Sequence, residues 1–157
     1  MSDFHLLLEE QIPGLMRYAT ALSRDSEQAS ELVEDTVRVA LAHYRECRGN
    51  LHIRVWLLTI LHDLRDNPFR QLTAATLPAA DPAALLTLSA LDRALGQLPE
   101  EQRAAILLVG LENMTYAETA SILRLSVNAV RSRLSRARTS LRRSMGVAQP
   151  LAMPRAA

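Results

Sequence analysis

Residues 126–144 read SVNAVRSRLSRARTSLRRS, six arginines with no acidic residue among them. At about 100° per residue, Val130, Leu134, Ala137 and Leu141 fall in one narrow apolar stripe. Asn128, Ser132, Ser135, Arg136, Thr139 and Arg143 lie opposite. Arg131, Arg138 and Arg142 flank one side of that outward face, and Arg133 flanks the other. The face is small and polar near its N-terminus and cationic towards its C-terminus. Small side chains let a helix enter a groove, and arginine offers paired donors to guanine or phosphate. A merely solvated face would interleave acids with its arginines at i,i+4. Here no acid relieves the repulsion, so a surface built for a polyanion is the better reading.

The residues just upstream give this helix a companion. Thr115-Tyr116-Ala117-Glu118 has the spacing of a capping box and starts a short helix, YAETASIL. A turn, RLS, follows, and Ser126 caps the arginine-rich helix. Ala120 is small where the two helices would cross. Together these make a helix-turn-helix, supported because capping, stripe and charge agree. Further upstream, LSALDRALGQL forms one helix. Pro99 with Glu100 and Glu101 opens another through QRAAILLVGLE, as proline suits a first turn and acids favour the positive end of the helix dipole.

The N-terminal half reads as three more helices. Residues 3–23 carry an apolar stripe, which Pro13-Gly14 is expected to kink or split. RDSEQASELVEDTVRVALAHY opens with Asp25 as N-cap and Gln28 in capping-box position. IRVWLLTILHDLRDN stops at Asn67-Pro68, because the residue before proline is pushed out of the α region. Between the halves, QLTAATLPAADPAALLT has two prolines, small residues and one charge. That is linker composition. The expected architecture is all-α: two small helical domains, residues 1–70 and 88–146, joined by a flexible linker at 71–87, with a disordered tail at 147–157.

Charge is divided between the halves. The net charge is +1, but residues 1–72 hold eight Arg against eleven acids, and residues 88–157 hold ten Arg against five. A basic C-terminal half suits duplex DNA. All 18 basic residues are arginine, which can reflect genome composition and carries no functional weight. The one cysteine, Cys47, rules out an internal disulfide and suits a reducing cytoplasm. No apolar run approaches a membrane span, and the acidic start MSDFHLLLEEQ is unlike a signal peptide.

The order of these elements and their residues resemble a known family. LPEEQRAAILLVGLENMTYAETASILRLSVNAVRSRLSRARTSLRR resembles the C-terminal DNA-binding domain of extracytoplasmic-function (group 4, sigma-70 family) sigma factors, with VRSRLSRAR the most specific part. ASELVEDTVRVAL resembles the family's polymerase-docking helix, and RVWLLTILHDLRDNPFR its −10 segment. LLVGLE and WLLTIL resemble the alphaproteobacterial general-stress-response type.

The resemblance implies roles. Arg131, Ser132, Ser135 and Arg136 would approach bases and adjacent phosphates of the −35 element, and Arg138, Arg142 and Arg143 would add phosphate contacts. Arg54, Trp56, Thr59, Asp63 and Arg65 fall on the −10 segment, which holds a single strand. Glu31, Leu32, Val33, Glu34 and Asp35 fall on the docking motif. The implied partners are core RNA polymerase, promoter DNA and an anti-sigma factor. Some positions depart from the family pattern. Arg124 stands where the turn usually has Gly, Asn128-Ala129 where Gly-Thr is common, Glu34 where Gln is usual, and Asp63 where Asn is usual.

Other chemistry finds little support. Trp56 fits a core place better than a DNA wedge. The acids of the docking motif lack a partner for general acid–base work. His43 and Cys47 have half-site spacing for zinc without a second pair. No phosphate loop or nucleophile motif occurs, so no cofactor and no enzyme activity is expected. Two alternatives stay open: a sigma-like decoy that binds an anti-sigma factor without initiating transcription, and an ordinary helix-turn-helix regulator.

Overall fold

Local capping chemistry sets the starts of three of the described helices. In the computed structural model, which describes residues 2–47, 52–67 and 90–146, Asp25 accepts hydrogen bonds from the backbone N–H of Glu27 and Gln28 and starts α2, Ser26–Ala42. The box is not reciprocal. The Gln28 amide lies 3.5 Å from the Asp25 carboxylate instead of returning to its backbone N–H. Preceding it is α1, Ser2–Ser23, and a 3-10 turn follows at Tyr44–Cys47. Next comes α3, Ile53–Arg65, capped by Asp66 just ahead of Asn67-Pro68.

The C-terminal half has α4, Ala90–Gln97; α5, Glu100–Gly110; α6, Tyr116–Leu123; and α7, Val127–Ser144. Both halves of the Thr115–Glu118 capping box form. The Ser126 hydroxyl accepts from the Ala129 N–H. Pro99 sits at the N-cap of α5, one residue earlier than its expected first-turn place. Among the described residues all regular structure is helical, as the composition implies. The linker at 71–87 and the tail at 147–157 lie outside the described residues.

Of the kink or split expected at Pro13-Gly14, the split does not occur: α1 runs unbroken from Ser2 to Ser23 with Pro13 inside it. A proline removes one backbone donor. The stripe on either side of it holds the helix down: Leu8, Leu15, Tyr18, Ala19 and Leu22 are all buried.

The helices pack as two layers that share a core. Leu8, Leu15, Tyr18, Leu22, Leu32, Leu57, Leu58 and Leu61 from the first three helices belong to one buried cluster with Leu107, Leu108, Met114 and Ile122 of the second half. A second cluster, Ala105, Ala120, Val130 and Leu134, lies where α5, α6 and α7 meet. Ala120 is thus small at the helix crossing, and three residues of the predicted stripe of α7, Val130, Leu134 and Ala137, are buried, while Leu141 is half-buried. Arg103 adds a polar seam. It donates to the carbonyls of Leu95, Gly96 and Leu98 at the end of α4, and at 2.8 Å to Leu22 near the end of α1. Helix C-termini leave such carbonyls unpaired and favour a cation there.

His62 shows what burial in this core does. Its Nε2 shares a hydrogen bond of 2.6 Å with the Tyr18 hydroxyl. Burial, and next the nearby Arg65 guanidinium, lower its pKa from 6.5 to about 4. Below pH 6.5 the unfolded chain binds a proton that the folded chain refuses. Stability is therefore full above about pH 6.5 and falls as pH drops towards 4. The gap corresponds to about 3 kcal/mol at most. Urea midpoints at pH 7.5, 6 and 4.5 should show this slope. A slope unchanged in His62→Gln would refute the assignment.

Candidate nucleic-acid interface

The α6–α7 pair builds the outward surface. Arg124, where the family usually has glycine, ends α6 in the left-handed region at φ 54°, ψ 46°. A side chain is strained there relative to glycine, yet the turn keeps its shape: the Leu125 N–H reaches the Ala120 carbonyl at 2.9 Å. From this turn α7 projects Asn128, Arg131, Ser132, Ser135, Arg136, Arg138, Thr139 and Arg143, all exposed. Arg142 is half-buried. Arg133, on the other flank, turns back within 3.4 Å of Glu101 and so leaves the cationic face. The predicted grading from small-polar to cationic is therefore a continuous exposed surface.

The −10 residues carried over on the third helix meet a different environment. Arg54 donates to Glu112, and Arg65 to Glu100. Asp63 accepts from Arg124 through both oxygens, at 3.0 and 2.9 Å. All three are thereby engaged with the C-terminal half. Thr59 bonds the Val55 carbonyl within its own helix at 2.8 Å. Trp56 is half-buried and lies edge-on to Phe4, ring centroids 6.5 Å apart, as a core place requires.

The docking motif divides by helix face. Leu32 and Val33 are buried in the core. Glu31 and Glu34 are exposed, and Asp35 is paired with Arg38 at 2.6 Å. Within this motif Glu31 and Glu34 present their side chains outward, while Leu32 and Val33 belong to the core.

Glu112 is the site residue that sequence reading missed. It is 1% exposed. Arg17 grips it with two bonds of 3.1 Å, and Arg54 adds a third. No local pattern announces it, because its partners lie 95 and 58 residues away in the chain. A hollow elsewhere between the halves is lined by His62, Asp66, Glu100, Glu101 and Arg133, with Ala104, Leu123 and Leu125. There Glu100 is held below the usual carboxylate range by its bond to Arg65. Asp66 is pushed up by burial and by Glu100. Among the described residues no cluster could hold a metal ion, and no helix is long and apolar enough to cross a membrane.

Comparison with known proteins agrees with this geometry. Residues 88–141 match the model of sigma-70 region 4. Residues 8–62 match that of the sigma2 domain of PhyR. The chain is 31% identical over 141 residues to the ECF RNA polymerase sigma factor EcfG of Rhodopseudomonas palustris (strain TIE-1), spanning 83% of this chain and 78% of that protein. Its structure resembles that of the sigma factor RpoE in complex with the anti-sigma factor NepR from Bartonella quintana. The TM-score is 0.79 at 29% identity, over 95% of this chain and all of that one. The anti-anti-sigma factor PhyR, also complexed with NepR from Bartonella quintana, shares the fold with a TM-score of 0.63 at 17% identity, over 89% of this chain and 50% of PhyR. The helix-turn-helix, the arginine face and these matches have one source: the chain belongs to the extracytoplasmic-function family of RNA polymerase sigma factors.

Proposed function

We propose that this chain binds core RNA polymerase in the cytoplasm and directs it to a class of −10/−35 promoters, in a stress response under anti-sigma control. The observation that carries the reading is the exposed face of α7, acid-free and graded from small-polar to cationic. Arg131, Ser132, Ser135 and Arg136 read the −35 element, and Arg138, Arg142 and Arg143 clamp phosphates. The second strand-separated element falls to Arg54, Trp56, Thr59, Asp63 and Arg65. Glu31, Glu34 and Asp35 offer the acidic docking surface, with Leu32 and Val33 setting the helix behind them. Run-off transcription with core polymerase on cognate promoters tests the whole; a folded protein that yields no transcript would sink it.

The assigned contacts predict separable effects. Arg136→Ala is expected to weaken recognition at the −35 element by about 1–3 kcal/mol, read as binding to matched and mismatched duplexes. Unchanged discrimination would remove Arg136 from the readers. Arg142→Ala should weaken all sequences alike and make the salt slope shallower by about one unit. An unaltered slope counts against a phosphate contact.

A second reading has its own support. The N-terminal half matches a PhyR domain, and PhyR is an anti-anti-sigma factor found complexed with NepR. Asp63, Asn67-Pro68 and Glu34 also depart from the sigma pattern. A decoy of this kind would bind an anti-sigma factor and show no measurable affinity for core polymerase. The full-length match to a sigma factor favours the first reading.

A further inference from the structure

Two departures from the family pattern, Asp63 and Arg124, are partners. They come from α3 and the turn of the helix-turn-helix, 61 residues apart, and meet in a two-pronged ion pair. Each is unfavourable alone. An acid beside a site for single-stranded DNA repels phosphate, and a non-glycine residue at φ 54° strains the turn. Glycine at 124 would relieve the backbone but could not reach Asp63.

We propose that the Asp63–Arg124 pair, acting with the Glu112 clamp, is an intramolecular latch that turns the −10 surface of the N-terminal half inward against the helix-turn-helix domain. Arg54, Asp63 and Arg65 are all engaged with C-terminal residues in this state. They cannot hold a DNA strand at the same time. The α7 face stays open, so the closed chain is competent for duplex −35 DNA and not for the −10 strand. What the latch regulates rests on the sigma-factor reading above; that it closes the chain does not.

Magnitude assigns the parts. The Asp63 and Arg124 side chains are 48% and 69% exposed, so solvent and salt screen their attraction. The pair biases the equilibrium and sets the register of the two halves. The buried cluster and the Glu112 carboxylate, withdrawn from water between two guanidiniums, supply the larger share of closure.

The test reads conformation in the full chain, without polymerase or promoter. Dyes placed by Glu10→Cys and Thr139→Cys, with Cys47→Ala to leave only two thiols, report energy transfer between the halves. A series of sub-denaturing urea concentrations brings both states into view. The closed-to-open ratio should fall about two- to fivefold in Asp63→Arg and in Arg124→Asp. It should return to the parent value when the two are combined. Glu112→Arg, checked as folded by circular dichroism, should lower the ratio further. The latch is overturned if the parent chain shows no closed population, or if the combined swap fails to restore the ratio. Normal latch behaviour with no run-off transcript would defeat the sigma-factor reading alone.

Discussion

Leu134→Ala is expected to lower stability by about 2–5 kcal/mol, enough to unfold the helix-turn-helix in a marginal domain. Leu134 is 1% exposed. It lies in the small cluster with Ala105, Ala120 and Val130. Two of those neighbours are alanines, and Ile106, Val109, Tyr116, Leu123 and Leu125 pack around the cluster. How far those larger side chains relax into the space sets where in this range the cost falls. Urea denaturation at pH 7.5 measures the loss. A change below about 1 kcal/mol would mean that α7 is not held by this stripe. DNA binding by α7 should fail together with folding, unlike Arg136→Ala, where the fold persists.

Removing both Arg17 and Arg54 is expected to destabilise the joined form by about 3–5 kcal/mol. The carboxylate of Glu112, 1% exposed with both arginines in place, would lose its two cations. The Coulombic loss is only part of this cost. The larger part is the uncompensated desolvation of a charge. The same argument predicts a rescue. Adding Glu112→Met to the double variant removes the stranded charge and should recover most of the stability. If Arg17→Ala with Arg54→Ala costs under about 1 kcal/mol, or Glu112→Met deepens the loss, the clamp is not what the geometry implies.

Much of the fold was legible in the chain because its causes are local. Asp25, Thr115 and Ser126 each bond an N–H two or three residues ahead, so the boundary and its cause lie within one turn of helix. The stripe of Val130, Leu134 and Ala137 follows from helical period alone, and those residues are the buried ones. The exposed arginine face was legible for the same reason, as the complement of that stripe. The helix continues through Pro13 because the cost of one missing donor is local, whereas the burial that outweighs it is not.

The −10 surface was legible only as a set of positions. Arg54, Asp63 and Arg65 sit where the family pattern puts them, but their partners in this chain are Glu112, Arg124 and Glu100. Those pairings span from 35 to 61 residues of chain, and no period or motif encodes them. Asp63 looked like a defect in a DNA site until Arg124 was found opposite it.

The sequence alone determined the helices, their caps, the helix-turn-helix and its arginine face, because hydrogen bonds within a turn and the 3.6-residue period act over a few residues. Only the tertiary structure decided that the two halves share a core, that Glu112 is buried between two arginines, and that Arg54, Asp63 and Arg65 pair with the C-terminal half. Those outcomes depend on which distant side chains meet once apolar surface is buried, and on whether a charge that burial strips of water finds its counter-charge there.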